Sequence, residues 1–292
     1  MEQKILNFEA LGTSWTLDFK AHLSDELFDL VETKIKNRVN DFENTFSRFI
    51  STSLVRQLST QTGKYSFPEN SKEMIEMYLK LYRITNGLFT PFVGQLLEDT
   101  GYDTTYTLTP RDVIQDVPEL LDYWEVNFPE IIVKHPVSVD FGGIGKGFLI
   151  DYIAKIFDEF GIDEFTIDAG GDILHKSRNN NKLSIGMENP YDFSTVIGTV
   201  DISNVSLCGS SGSRRKWDKY HHILNPQTKS SNHDIKAVWV LAQNTLTADS
   251  VATSLFLVKP EILSSNFDFE YFILFSDYAY SKSKNFICEL YI

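Results

Sequence analysis

"VDFGGIGKGFLID", residues 139–151, sets four glycines and a lysine between an apolar run and a segment with helical spacing. Backbone N–H groups at a helix start lack intrahelical partners, and the aligned peptide dipoles favour an anion there. Gly142, Gly143, Gly145 and Gly147 allow close approach of a ligand or of another backbone. On the residues alone two readings stay open: a cradle for phosphate, or glycine used for tight helix–strand packing. Neither the Walker spacing GxxxxGK[ST] nor the Rossmann GxGxxG is present to decide between them.

Outward from this stretch, strand and helix signals interleave. Upstream, "SWTLDF" alternates as a strand, and Ser24 caps a long helix with Leu27, Val31, Ile35, Val39, Phe42 and Phe46 on one face. A second helix is expected from about Asn70 to Thr85, with Asn70 and Glu73 as a capping box and Asn86-Gly87 as its stop. Thr109 and Pro110 read as cap and first residue of a short third helix. Downstream, Leu149, Tyr152, Ile153, Ile156, Phe157 and Phe160 line a helix closed by Gly161. "EFTIDAGGDIL" reads as a strand broken by a Gly-Gly turn; "STVIGTVDISNVSL", "AVWVLAQ", "YFILFSD" and "FICELYI" also read as strands. Thr247 is expected to cap "ADSVATSLFLV", and "SRNNNK" (177–182) to be a polar loop. No linker, repeat or charge block divides the 292 residues, so one domain over 1–292 is expected.

Composition narrows the partners. With 42% hydrophobic and 13% aromatic residues the chain can bury a full core, and a net charge of −13 opposes a general nucleic-acid or anionic-membrane surface. A local basic pocket stays open, at "SRRK" (213–216) and Lys146. Cys208 and Cys288 have no metal-ligand spacing and are expected to be buried thiols. No apolar run reaches the roughly 18 residues of a membrane span. "MEQKILNFEALGTSWTLDF" lacks a secretory pattern, so the chain as given reads as cytoplasmic; an extracytoplasmic, membrane-anchored origin stays open if a leader was removed.

Two further segments carry chemistry. In "LTADSVATSLF", Asp249 and Thr253 lie four apart, on one face of a helix, and offer two oxygen ligands suited to a hard cation such as Mg2+. The alternative for Asp249 is an acid in the first turn that favours the helix dipole. "SLCGSSGSRRKWDKYHHILNPQT" brings small residues, a basic run and tandem histidines before an Asn-Pro turn.

Taken in order, "ALGTSWTL", "FSRFISTSLVRQL", "GLFTPFVGQL", "VDFGGIGKGFLID", "IDAGGDI", "GSSGSRR", "HHILNPQT" and "TADSVATSLF" resemble the ApbE flavin transferases, the FAD:protein FMN transferase family. The resemblance implies an α/β (α+β), T-fold-related assembly of two sheet-and-helix halves, with the ligand cleft between them. It implies FAD as substrate, Mg2+ as cofactor, and transfer of FMN to a Thr or Ser of an acceptor redox protein with release of AMP. An FAD pyrophosphatase yielding FMN and AMP, and a non-catalytic FAD-binding protein, are the alternatives. By the same resemblance Asp249, Thr253 and the Gly143 carbonyl would ligate the metal, and His222 rather than His221 would take the hydroxyl proton. Lys146 would pair with phosphate or with Asp172; Ser211 and Gly212 would approach the nucleotide; Thr90, Gly170 and Asp172 match other cleft positions. Three residues depart from the family pattern: Asn225 where Asp is common, Lys229 where Gly usually follows Pro-x-Thr, and Phe49 at a polar or Tyr position beside the flavin.

Overall fold

The computed structural model describes residues 4–20 and 22–291. One eight-stranded sheet runs, edge to edge, through Lys4–Ala10, Thr13–Phe19, Phe165–Ala169, Asp172–Lys176, Val205–Ser211, Ile235–Ala242, Glu270–Phe275 and Tyr280–Lys282. Every neighbouring pair is antiparallel, and the pairing of Val205–Leu207 with Ile173–His175 joins the first four of these strands to the last four in one continuous α+β sheet.

Side-chain alternation explains why the central strands read as continuous apolar runs. Leu174, Cys208, Val238, Val240 and Ile273 face a large core with the helices Asp25–Phe46, Lys72–Ile84, Gly145–Glu159 and Thr245–Ser254. Their neighbours Ile173, Leu207, Ala237, Trp239, Phe272 and Leu274 face a second core. Met187, Ile197, Val200 and Ile202 of the Leu183–Glu188 and Val196–Ile202 hairpin cover that side. Apolar cores cover both faces, so no inside–outside polar alternation marks these strands. A third cluster packs Leu96 and Leu97 against Trp217, Tyr220 and Leu224, and Trp217 Nε1 donates to the Thr100 carbonyl at 2.6 Å. This contact folds the 212–231 excursion back towards the Val93–Asp99 helix and forms a wall beside the sheet end.

The helix caps follow local chemistry, with exceptions. Ser24 accepts from the Leu27 N–H, and Gly87 and Gly161, at φ 81° and 68°, terminate their helices in the left-handed region. The Asn70–Glu73 capping box does not form; a 3-10 turn Glu69–Ser71 precedes Lys72–Ile84, and the Asn70 amide reaches Tyr152 instead. No helix starts at Thr109 and Pro110. Buried Asp99 accepts from Arg111 Nη1 at 2.7 Å and from the Gln115 N–H at 3.0 Å, which pins the segment as a loop until Leu120–Tyr123. Asn244, not Thr247, caps Thr245–Ser254, and the Thr247 N–H is the donor it receives. "FICELYI" yields only the short strand Glu289–Leu290, its last residue lying outside the described ones. Cys208 is buried, whereas Cys288 is part-exposed. Among the described residues no helix is long and apolar enough to cross a membrane.

The Gly145–Glu159 and Thr245–Ser254 helices meet in an unusually close contact. A Cβ on Gly147 would lie 2.4 Å from the Thr245 carbonyl oxygen and 2.7 Å from Asp249 Cβ. Neither obstacle is the end of a flexible side chain, so Gly147→Ala must push the helices apart. It is expected to cost about 1–3 kcal/mol in urea unfolding; an unchanged midpoint would contradict this packing.

Candidate active site

A cavity of about 1340 Å³ opens at the sheet end that carries the turns Leu11-Gly12 and Gly170-Gly171. That exceeds the roughly 300–1,000 Å³ of ordinary small-molecule pockets and suits a dinucleotide-sized ligand. Its walls include Gly143 and Lys146, Asp249 and Thr253, and His222. Residues more than a hundred positions apart in the sequence thus share one space.

Asp249 and Thr253 are brought there by two anchors on their helix. Asp151 accepts from the N–H groups of Thr245 at 2.9 Å and Leu246 at 2.8 Å, while Asn244 takes that of Thr247. The first-turn donors are therefore satisfied, and Asp249, four residues into the helix, is not serving as a dipole-pairing acid. Instead Asp249 Oδ2 accepts from the Gly147 N–H at 2.9 Å. Both readings of the glycine stretch hold, at different residues. Gly147 serves packing and gives its amide to Asp249, while Gly142, Gly143 and Gly145 line the cavity. Asp140 holds the turn, accepting from the Gly142 N–H and from Arg48 Nε, each at 2.7 Å.

The glycine turn, Asp249 and Thr253 converge. A Cβ built on Gly143 would sit 3.6 Å from Thr253 Cγ2, and the Thr253 hydroxyl lies 3.4 Å from that of Ser210. Lys146 Nζ is 2.6 Å from Asp172 Oδ2 and 3.5 Å from Asp249 Oδ1. Burial alone would lower the Lys146 pKa, but the two carboxylates outweigh it and raise it, so the ammonium stays charged. Burial pushes Asp249 up to about 7, with Asp172 adding to the rise and Lys146 opposing it. A carboxylate this poorly compensated gains from a further cation. Among the described residues no group of three His, Cys, Asp or Glu side chains is arranged for a metal. The donors here are instead a carboxylate, a hydroxyl and the nearby Gly143 backbone, all oxygens that fit a hard cation such as Mg2+.

The tandem histidines divide. His221 is buried, its Nε2 2.9 Å from the Asn232 carbonyl while its Nδ1 accepts from the Ile223 N–H at 3.3 Å. Both nitrogens are occupied, and the ring is structural. His222 is half-buried on the cavity wall, and among the described residues its Nδ1 has no hydrogen-bond partner. Burial, then the charges of Arg215 and Lys146 with neighbouring His221, push its pKa down to about 3. It is neutral at physiological pH, with a lone pair to offer.

Phe49, Thr90, Gly170 and Ser211 also line the cavity, whereas Asp172, Gly212 and Asn225 stand behind its surface. Asp172 works through Lys146; Gly212 packs under His221, where a Cβ would meet the ring at 2.8 Å. Asn225 Oδ1 caps the following turn by accepting from Gln227 and Thr228. Lys229 takes a left-handed φ of 54°, as a glycine would there, and its ammonium is tied to Asp116 at 2.5 Å. Phe49 stacks on Tyr106 with centroids 5.3 Å apart, under the Arg48 guanidinium at 4.3 Å. Sequence reasoning missed the pairing of Arg48 with Asp140 and the cap by Asp151, since no local spacing marks contacts 92 and 94 residues apart.

One deep cleft thus gathers a carboxylate, a hydroxyl, a lysine and a histidine in a space large enough for an extended ligand. The ApbE family model matches residues 11–267, and the chain belongs to the ApbE family. A Vibrio cholerae relative named FAD:protein FMN transferase is 22% identical over 282 residues, covering 89% of this chain and 83% of the relative. The protein of that name from Haemophilus influenzae is 25% identical, covering 80% of this chain and 73% of its own. Among solved structures, the flavin transferase ApbE of Vibrio cholerae superposes with TM-score 0.80 at 20% identity, over 98% of each chain. The ApbE protein of Thermotoga maritima gives 0.81 at 22% identity, again over 98% of each. These likenesses establish the mixed α/β fold.

The histidine assignments carry separable expectations. His221→Ala leaves the Ile223 N–H and the Asn232 carbonyl buried without partners and should cost roughly 1–3 kcal/mol or more. His222 is neutral when folded but takes a proton below about pH 6.5 when unfolded. Acid therefore favours the unfolded state, and stability should fall as pH drops from 6.5 towards 3. Thermal melts of wild type and His222→Asn across that window should diverge, with wild type losing more; parallel curves would contradict the neutral, desolvated ring.

Proposed function

We propose that this chain, as a single domain, is an FAD:protein FMN transferase. It would move the FMN half of FAD to a Thr or Ser hydroxyl of an acceptor redox protein and release AMP. The observation that carries the reading is that Asp249, Thr253, Gly143, Lys146 and His222 line one cavity of dinucleotide size. Membership of the ApbE family and the names of the curated relatives support it.

The chemistry follows from the residues. Asp249, Thr253 and the Gly143 carbonyl would hold Mg2+, whose charge offsets that of the diphosphate oxygens when bound. Lys146, kept charged by Asp172 and Asp249, adds a fixed cation beside those oxygens. Transfer breaks the bond between the FMN phosphorus and the bridging oxygen, which leaves with AMP and the bonding pair. A new bond joins that phosphorus to the acceptor oxygen, and the hydroxyl proton passes to His222. The free ring is a weak base, but the negative charge of a bound diphosphate raises its basicity towards what proton transfer needs. Gly147 N–H and the Asp151-capped helix keep the Asp249 carboxylate in place throughout.

With FAD, Mg2+ and a cognate acceptor, the chain should yield covalently fluorescent acceptor and AMP in equal amounts. Chelation should abolish this and added Mg2+ restore it. Asp249→Ala should lose at least roughly 100-fold in rate; a wild-type rate in that variant would refute the site. Free FMN formed without acceptor would instead support the hydrolytic alternative.

A further inference from the structure

The basic run "SRRK" does not act as one patch. Arg214 is exposed and paired with Glu188, its Nε 2.9 Å from Oε1. Lys216 touches the cavity but is exposed, so its ammonium is hydrated. Arg215 is different. It lines the cavity and is half-buried, and among the described residues its side chain makes neither a hydrogen bond nor an ion pair. Among the described residues the other half-buried or buried cavity cations are paired: Arg48 with Asp140, Lys146 with Asp172 and Asp249.

The guanidinium's position is well bounded. Nη2 comes within 3.8 Å of where a Gly12 Cβ would stand, against the turn between the first two strands. Its own carbonyl accepts from the His222 N–H at 3.2 Å, which fixes the backbone of the two residues together. Its charge is felt at both His222 and Tyr102. A guanidinium partly removed from water and lacking a carboxylate is costly unless an anion completes it. Its planar fork of donors matches phosphate oxygens two at a time.

We propose that Arg215 is the protein's own cationic clamp on the phosphate oxygens of the dinucleotide, on the wall it shares with His222. This rests on the function proposed above and deepens it. Substrate recognition then divides between a metal-and-lysine side and an arginine beside the proton acceptor. Ligands lacking phosphate forgo the contact. Arg215 steadies the phosphorus near the base that deprotonates the incoming hydroxyl, and takes up charge that grows on the phosphoryl oxygens as the bond breaks.

The test compares wild type with Arg215→Ala and Arg215→Lys in Mg2+ buffer. FAD binding is titrated by flavin fluorescence, turnover is followed by AMP release with acceptor, and melting temperature reports the fold. Arg215→Ala should weaken FAD binding roughly 10- to 100-fold and slow transfer, with an unchanged melting temperature. Arg215→Lys keeps the charge but not the fork and should fall between. Unchanged FAD affinity and rate in Arg215→Ala would overturn the clamp, as would losses that track a lowered melting temperature in both variants. If wild type itself binds no FAD, it is the proposed function that fails, a result distinct from either.

Discussion

The site depends on the junction of two helix starts. Asp151, in the second turn of the Gly145–Glu159 helix, takes the first two amides of Thr245–Ser254; Gly147 lets that helix come against it without a side chain between. Asp249 returns the contact by accepting the Gly147 amide. Each helix thus supplies what the other's open end lacks. An anion is expected at a glycine-rich helix start, and here the protein's own carboxylate fills that place. The price is a buried Asp249 whose charge is incompletely offset by Lys146; in the proposed function a cation would complete the balance.

The sheet makes the junction possible. Because its central strands are apolar on both faces, helices pack on one side and a small hairpin sheet on the other. Chemistry is confined to the sheet end, where the Leu11-Gly12 and Gly170-Gly171 turns leave room. The 212–231 excursion, held by Trp217 against the Val93–Asp99 helix, brings His222 to the cavity, while neighbouring His221 locks the backbone. Adjacent histidines can play opposite parts because alternate side chains of an extended segment face opposite ways.

What could be read in the sequence follows from the range of the forces involved. The long helices and central strands rest on periodic burial, which local spacing reports. The Asp249–Thr253 pair was legible for the same reason, since four residues make about one turn. Caps were less so: Thr247 has the chemistry of a cap, but the helix begins three residues earlier and Asn244 caps it. The expected helix at Thr109 yields to a distant carboxylate, Asp99, which claims Arg111 and Gln115. Asp151 stands inside the stretch that first raised the question, yet its role depends on amides 94 residues away. No spacing rule spans that distance. Which member of the basic run lacks a partner is likewise a fact of three dimensions.

The most direct test of the central arrangement is crystallographic. Crystals grown with FAD and Mn2+ in place of Mg2+, measured at the manganese edge, should show an anomalous peak within bonding distance of the Asp249 carboxylate, the Thr253 hydroxyl and the Gly143 carbonyl, touching the diphosphate. A peak ligated elsewhere in the cavity, with Asp249 still held only by Gly147 and Lys146, would contradict the account.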